Sequence, residues 1–262
     1  MRVAQLGAGH PEVAVVGAIH GDEPCGVTAI ERLIEVDPPV RNPVKLVVAN
    51  DEAREQGVRY VDADLNRAFN DETPAAAHER DLAEQLAREL RGTTALSIHS
   101  TQSYPYPFAI SSGTDEQVRD IVPKLSVRAL VDAGTSVNGR IFEAEADIVE
   151  VEAGLQGSDA AGENAYRLAR EFLTATDVLP GETDASELPV FRLGDPIEKP
   201  TATAFEVFAE NFHEVDSGEA FAAADGRELR AEEPFYPVLL SAYGYRDIFG
   251  YVGERAGTLS PT

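Results

Sequence analysis

The segment EVAVVGAIHGDEPCGVTAIERLIE, residues 12–35, decides the fold. Its first eight residues form an apolar run rich in valine, the pattern of a strand buried on both faces. Val27, Ile30, Leu33 and Ile34 then fall on one face of a helix over 26–35. Between them lies a polar turn with His20, Asp22 and Glu23. The turn has two readings. A His and a Glu at this spacing could hold a metal. Equally, Glu23 could serve only the positive end of the helix it opens.

The same alternation recurs downstream. VKLVVAN (44–50), ALSIH (95–99), PFAIS (107–111) and DIVEVEA (147–153) have strand character. HERDLAEQLAREL (78–90), 115–131 and about 158–176 have helical periodicity. This predicts an α/β fold with a mainly parallel mixed sheet flanked by helices. VLPGETDASELP (178–189) is rich in Pro, Gly and acids and has the composition of a linker. The short runs PVFRL, ATAFEVF and PFYPVLLSAY follow it. The expected organisation is an α/β domain over 1–180 and a small β-rich C-terminal domain over 187–262.

Charge narrows the partners. The 262 residues carry 46 acids against 22 bases, a net charge of −24. Only Lys45, Lys124 and Lys199 among the bases are lysines. Such a surface argues against nucleic acid and anionic membranes as partners. The acids are spread along the chain, as expected of a halophilic protein whose self-repulsion is screened by salt. No apolar run approaches the roughly 18 residues of a membrane span. The N-terminus enters a strand-like run at once and lacks the pattern of a signal peptide. One cysteine, Cys25, excludes an intramolecular disulfide. A cytoplasmic location is expected, with room for a homo-oligomer.

In open α/β sheets, ligands sit beyond the carboxyl ends of the strands. His20 and Glu23 follow the first strand, His99 ends the third, and Glu152 ends the strand over 147–153. Two imidazoles and a carboxylate make a catalytic zinc set with one position left for water. Glu152 would suit the accompanying general base. His10, His78 and His213 have the surroundings of solvated side chains. Cys25 fits a small buried residue, with a thiolate activated at the helix start as the alternative. RYVDADLNRAFN (59–70) adds Arg59, Asp62, Asp64, Asn66 and Arg67. Two guanidinium forks there could grip an anionic substrate, with the acids capping or steadying them. An ordinary solvated loop has the same composition.

GAIHGDE (17–23), RYVDADLNRAF (59–69), SIHST (97–101) and VEVEAGLQG (149–157) occur in that order over about residues 10–175. In these motifs and their spacing the chain resembles the succinylglutamate desuccinylase/aspartoacylase family, relatives of the zinc carboxypeptidases. NFHEVDSGEAF and PVLLSAYGY fit more loosely. The resemblance implies one Zn2+ per chain, with His20, Glu23 and His99 as its ligands. It implies Glu152 as general acid/base and Arg59 as the group that polarises the scissile carbonyl. Asn66 and Arg67 match the pair that binds the substrate carboxylate. Arg140 lies twelve residues before Glu152, where the family has an arginine some ten before it. Tyr245, with Tyr243 close by, matches a C-terminal tyrosine that reaches substrate. Glu150 and Glu152 share a strand face, and the AGLQG that follows favours Glu152. The chain is shorter than many members after residue 175, where loops select the acyl group. The implied activity is zinc-dependent hydrolysis of the amide bond of a small anionic N-acyl amino acid. The alternatives are a zinc carboxypeptidase acting on peptides, or a non-catalytic zinc or acyl-amino-acid binding protein.

Overall fold

The computed structural model describes residues 1–70, 72–134 and 138–261. The strands of the first 155 residues are β1 (Arg2–Leu6), β2 (Val13–Gly17), β3 (Val44–Val48), β4 (Thr94–Thr101), β5 (Phe108–Ser111), β6 (Leu130–Asp132) and β7 (Asp147–Leu155). Later come β8 (Leu188–Glu198), β9 (Phe205–Val207), β10 (Ala220–Ala224), β11 (Arg227–Arg230), β12 (Tyr236–Val238) and β13 (Ile248–Leu259). The helices are α1 (Cys25–Val36), α2 (Asp51–Gln56), α3 (His78–Leu90), α4 (Glu116–Ile121) and α5 (Asp159–Ala175).

A ten-stranded sheet runs β1-β3-β2-β4-β7-β5-β6-β8-β13-β12. Its β3-β2-β4-β7 portion is parallel. β1 runs antiparallel to β3 at one edge, and β5 runs antiparallel to β7. β9, β10 and β11 form a separate antiparallel sheet, so strands of residues 188–259 contribute to both. From β2 the chain crosses through α1 to β3 on one side, then returns through α3 to β4 on the other. The carboxyl ends of β2 and β4 therefore flank a point where the strand order reverses, the usual position of a ligand crevice.

Alternation along the strands builds two cores. Val13 and Val15 of β2 join Val27, Ile30 and Leu33 of α1 and Leu168 and Phe172 of α5 on one face. Ala14 and Val16 turn to the other face, against Leu82, Leu86 and Leu90 of α3. In β4, Leu96 and Ile98 point towards α1 and α5, as do Val149 and Val151 in β7. Ser97, His99, Glu150 and Glu152 occupy the intervening positions and therefore face the α3 side. Helix α1 sits unusually close to the sheet. A Cβ on Gly26 would lie 2.9 Å from the Gly17 Cα and 3.1 Å from the Ile98 carbonyl oxygen. Gly26→Ala is expected to cost about 1–3 kcal/mol by overpacking, read as a lower urea midpoint at unchanged slope. An unchanged midpoint would mean that α1 can back away freely.

Two segments depart from the sequence reading. The helix expected over 115–131 ends at Ile121, a 3₁₀ turn covers Val122–Lys124, and β6 occupies Leu130–Asp132. Pro123 has no N–H to carry the helical ladder onward. β13 carries no obvious strand signature because Gly250, Gly253 and Gly257 dilute it. No helix among the described residues is long and apolar enough to cross a membrane.

Candidate active site

The turn after β2 is held in an uncommon backbone conformation. Ala18 has φ of 53°, in the left-handed region, and its carbonyl accepts from Asn50 N at 2.8 Å. Such conformations cost energy in non-glycine residues and persist where the surroundings enforce them. Gly21 follows, its N–H bonded to the Arg59 carbonyl at 3.0 Å. A Cβ there would lie 2.3 Å from the Ala53 carbonyl carbon, so only glycine allows this approach. The result is a sharp turn that sets His20 and Glu23 beside the end of β4.

His20, Glu23 and His99 are buried, and their donor atoms lie within 4.8 Å of one another. His20 Nδ1 is 2.8 Å from Glu23 Oε1, and His99 Nδ1 is 3.0 Å from Glu23 Oε2. The opposite nitrogens are held from behind. His20 Nε2 is 3.0 Å from Asp64 Oδ1; His99 Nε2 is 3.1 Å from Ser97 Oγ and 3.4 Å from Glu150 Oε1. A carboxylate behind each ring fixes its orientation and raises its basicity, as in metal sites generally. Electrostatics agree. Burial disfavours the imidazolium of His99, yet Glu150 and Glu23 raise its pKa to about 10. His20 is also raised against its burial, by Glu23 and Asp64. Glu23 is held well below the carboxylate range by the two imidazoles, despite burial. Two nitrogens and one carboxylate oxygen in a pocket that favours positive charge could hold a zinc ion.

The two glutamates of β7 differ in their partners. Ser97 pairs with Glu150 and His99 with Glu152 in the β4–β7 register. Glu150 is fully engaged: Arg140 Nη2 donates to it, Asn66 Nδ2 donates at 2.8 Å, and His99 lies beside it. Burial opposes its charge, but Arg140, His99 and Asn66 bring its pKa to about 2. Glu152 Oε2 is buried without a hydrogen-bond partner. Burial, and then Glu23, push its pKa up to about 7. Glu150 is thus a permanent anion that braces its neighbours, while Glu152 is free to exchange a proton near neutrality.

The 59–67 segment brings further groups to the site. Arg59 Nη1 donates to Glu23 Oε1 at 3.0 Å, and Nη2 donates to Asp64 Oδ2 at 3.4 Å. Asp64 also caps the 3₁₀ turn Leu65–Arg67 through Asn66 N at 2.9 Å. Asn66 bonds Glu150 through its amide nitrogen and accepts from Ile141 N at 2.9 Å, leaving one amide hydrogen for a ligand. Arg67 is exposed and donates to the Asn66 carbonyl at 2.6 Å. Arg67 and Arg140 both line the cavity. So does Tyr245, whose phenol is held protonated by burial and by Tyr251 and Glu152. Tyr243 is 64% exposed and accepts from Phe205 N outside the cavity.

These groups surround a cavity of about 160 Å³, walled on the C-terminal side by Leu193, Leu239, Ser241, Tyr245 and Tyr251. His10 and His213 are exposed, and His78 opens α3; none of them lines the cavity. Cys25 is buried with Sγ on the His99 carbonyl, and burial pushes its thiol up to about 12, which suits packing better than attack. Asp22 lines the cavity but lies outside the three-donor cluster. Sequence reasoning passed over Ser97 and Gln156. Gln156 donates to the Asp22 carbonyl at 2.9 Å and ties the 20–23 turn to the end of β7. Its signal lay in the AGLQG stretch.

The catalytic-domain model of the succinylglutamate desuccinylase/aspartoacylase family matches residues 9–175. The N-acyl-aromatic-L-amino acid amidohydrolase (carboxylate-forming) of Xenopus laevis is 38% identical over 84 residues, 30% of this chain. That stretch spans 28% of the Xenopus protein, well under half its length. The product-bound ectoine utilization protein EutE (DoeB) of Ruegeria pomeroyi superposes with a TM-score of 0.77 at 20% identity, over 96% of this chain and 88% of that one. Murine aminoacylase 3 superposes with a TM-score of 0.74 at 21% identity, over 97% and 99%. At such identities the superpositions speak for a shared fold.

Proposed function

Because the chain belongs to the succinylglutamate desuccinylase/aspartoacylase family, we propose that it hydrolyses the amide bond of small anionic N-acyl amino acids, with one zinc ion held by His20, Glu23 and His99. The observation that carries this reading is the unpartnered, buried carboxylate oxygen of Glu152 in the cavity that also holds the three-donor cluster. Bound there, zinc supplies Lewis acidity that polarises the acyl carbonyl and acidifies a water. Glu152, as carboxylate, takes the proton of the attacking water and returns it to the leaving nitrogen. The C–N bond breaks, giving a carboxylate and a free amine. Arg59 steadies the negative charge that gathers on the acyl oxygen. Arg67 grips the substrate carboxylate with its open fork, and the remaining amide hydrogen of Asn66 assists. Arg140 compensates Glu150, and the protonated Tyr245 offers a donor from the opposite wall.

The small cavity and its C-terminal wall favour small substrates over extended peptides, and the free Glu152 favours catalysis over binding alone. The test is a panel of N-acetyl, N-succinyl and N-aroyl amino acids set against short peptides, with zinc-loaded protein. Molar salt suits a net charge of −24, since screening then acts within about 3 Å. Hydrolysis of at least one acyl amino acid, with peptides far slower, is expected. Peptides cleaved with equal kcat/KM would sink the proposal. Arg67→Ala is expected to raise KM about tenfold or more, with kcat changed less. An unchanged KM would place the carboxylate elsewhere.

A further inference from the structure

Glu79, the second residue of α3, is fully buried and does not line the cavity. Its carboxylate nevertheless collects four hydrogen bonds. Val61 N donates at 2.6 Å, Asp62 N and Ala63 N each at 3.0 Å, and Asn50 Nδ2 at 2.9 Å. The attachment is reciprocal, because Asp62 Oδ2 accepts from His78 N at 2.9 Å and caps α3. Asn50 follows β3 by two residues and caps α2 through Ala53 N at 3.1 Å, so the same carboxylate also holds the connection that leaves a central strand. Burying a carboxylate is expensive unless its oxygens are satisfied. Here three of the four bonds come from three consecutive amides of one loop.

Those amides sit at the centre of the segment that equips the site. Arg59 lies two residues before Val61, and Asp64 directly follows Ala63. Asp64 reaches His20 Nε2 at 3.0 Å, Arg59 reaches Glu23 at 3.0 Å, and Asn66 reaches Glu150 at 2.8 Å. Each of these contacts hangs on a backbone pinned through Glu79.

We propose that Glu79 is a positioning residue for the hydrolytic site, its carboxylate fixing the 59–67 backbone so that Asp64 orients His20 and Arg59 faces the acyl oxygen. This rests on the function proposed above. A residue serving the fold alone would affect stability and nothing else.

Glu79→Gln keeps the size of the side chain but sets an NH2 group against backbone N–H donors. Two quantities are measured on the full-length protein: kcat/KM of the zinc-loaded form, and zinc affinity by competition with a chromophoric chelator. Losses of about 10–100-fold in kcat/KM and about tenfold in zinc affinity are expected, the range seen when groups behind metal ligands are removed. Leu86→Ala, in the core beneath the same helix, should lower the urea midpoint while leaving both quantities within about twofold. If Glu79→Gln does not fold, Asp62→Ala removes the other half of the clamp from the exposed side and should lower both quantities severalfold. Wild-type kcat/KM and zinc affinity in either folded variant overturn the proposal. A wild-type protein that binds zinc but hydrolyses no acyl amino acid removes the hydrolase reading, while the zinc measurement still decides the role of Glu79. A wild-type protein that binds no zinc overturns both.

Discussion

Glu152→Gln is expected to lower kcat by about 10²–10⁴-fold with zinc still bound, the range contributed by a positioned general acid/base. The substitution keeps shape and removes only the ability to carry a proton. It breaks no hydrogen bond at Oε2, which has none, so loss of structure cannot stand in for loss of chemistry. Normal turnover would end the assignment. A second effect runs the other way. Burial and the neighbouring Glu23 raise the pKa of Glu152 to about 7, so the metal-free fold disfavours its carboxylate. Below the ordinary glutamate range the group is protonated both folded and unfolded and costs nothing. As pH rises towards 7 the unfolded chain ionises first, so a destabilising contribution grows and is complete above 7. It amounts to roughly 1–3 kcal/mol. Metal-free Glu152→Gln should therefore have the higher urea midpoint at pH 8 and no such advantage at pH 4. Equal midpoints at pH 8 would show that the charge is compensated in the fold.

Arg59→Ala is expected to cost about 10²–10³-fold in kcat, the usual price of losing one oxyanion donor, with zinc retained and KM changed less. The guanidinium bridges Glu23 and Asp64, so its plane is set before substrate arrives. Arg59→Lys should recover only part of the loss, because an ammonium is a point charge without the fork. Added guanidinium ion should restore some turnover to Arg59→Ala and none to Glu152→Gln. A kcat within twofold of wild type in Arg59→Ala would remove this residue from the transition state.

Much of the site was legible because strand ends announce themselves. An apolar run closing on His20, another on His99 and a third on Glu152 place three groups on one rim, and parallel pairing does the rest. The choice between Glu150 and Glu152 was not legible in the strand pattern, and only the family's AGLQG favours Glu152. Alternation puts both on one face, and what separates them is Arg140, Asn66 and His99 arriving from other elements. Asn66 is a similar case. The resemblance assigned it to a substrate carboxylate, whereas most of its amide braces Glu150 and Ile141. Glu79 was hidden for another reason. An acid in the first turn of a helix is explained locally by the dipole, and nothing nearby in sequence points to its loop partners. β13 was hidden by its glycines, and the helix over 115–131 was overextended because its periodicity outran the stop at Pro123.

The register of β7 against β4 has a consequence for how this gene can change. Glu150 and Glu152 reach the site because they stand two apart on a strand whose alternate residues, Val149 and Val151, fill the opposite core. Loss of a single codon between Asp147 and Val149 would slide the strand by one position, sending both carboxylates into the α1–α5 core and both valines to the α3 face, Val151 into the place of Glu150 in the cavity. Loss of two codons would preserve the faces but shift the register, setting Glu150 opposite Ala95 and Glu152 opposite Ser97 in place of their present neighbours. Length variation should therefore be absent from this strand, and should collect in connections such as 180–185, which follow the buried Val178 and Leu179 and hold no core side chain.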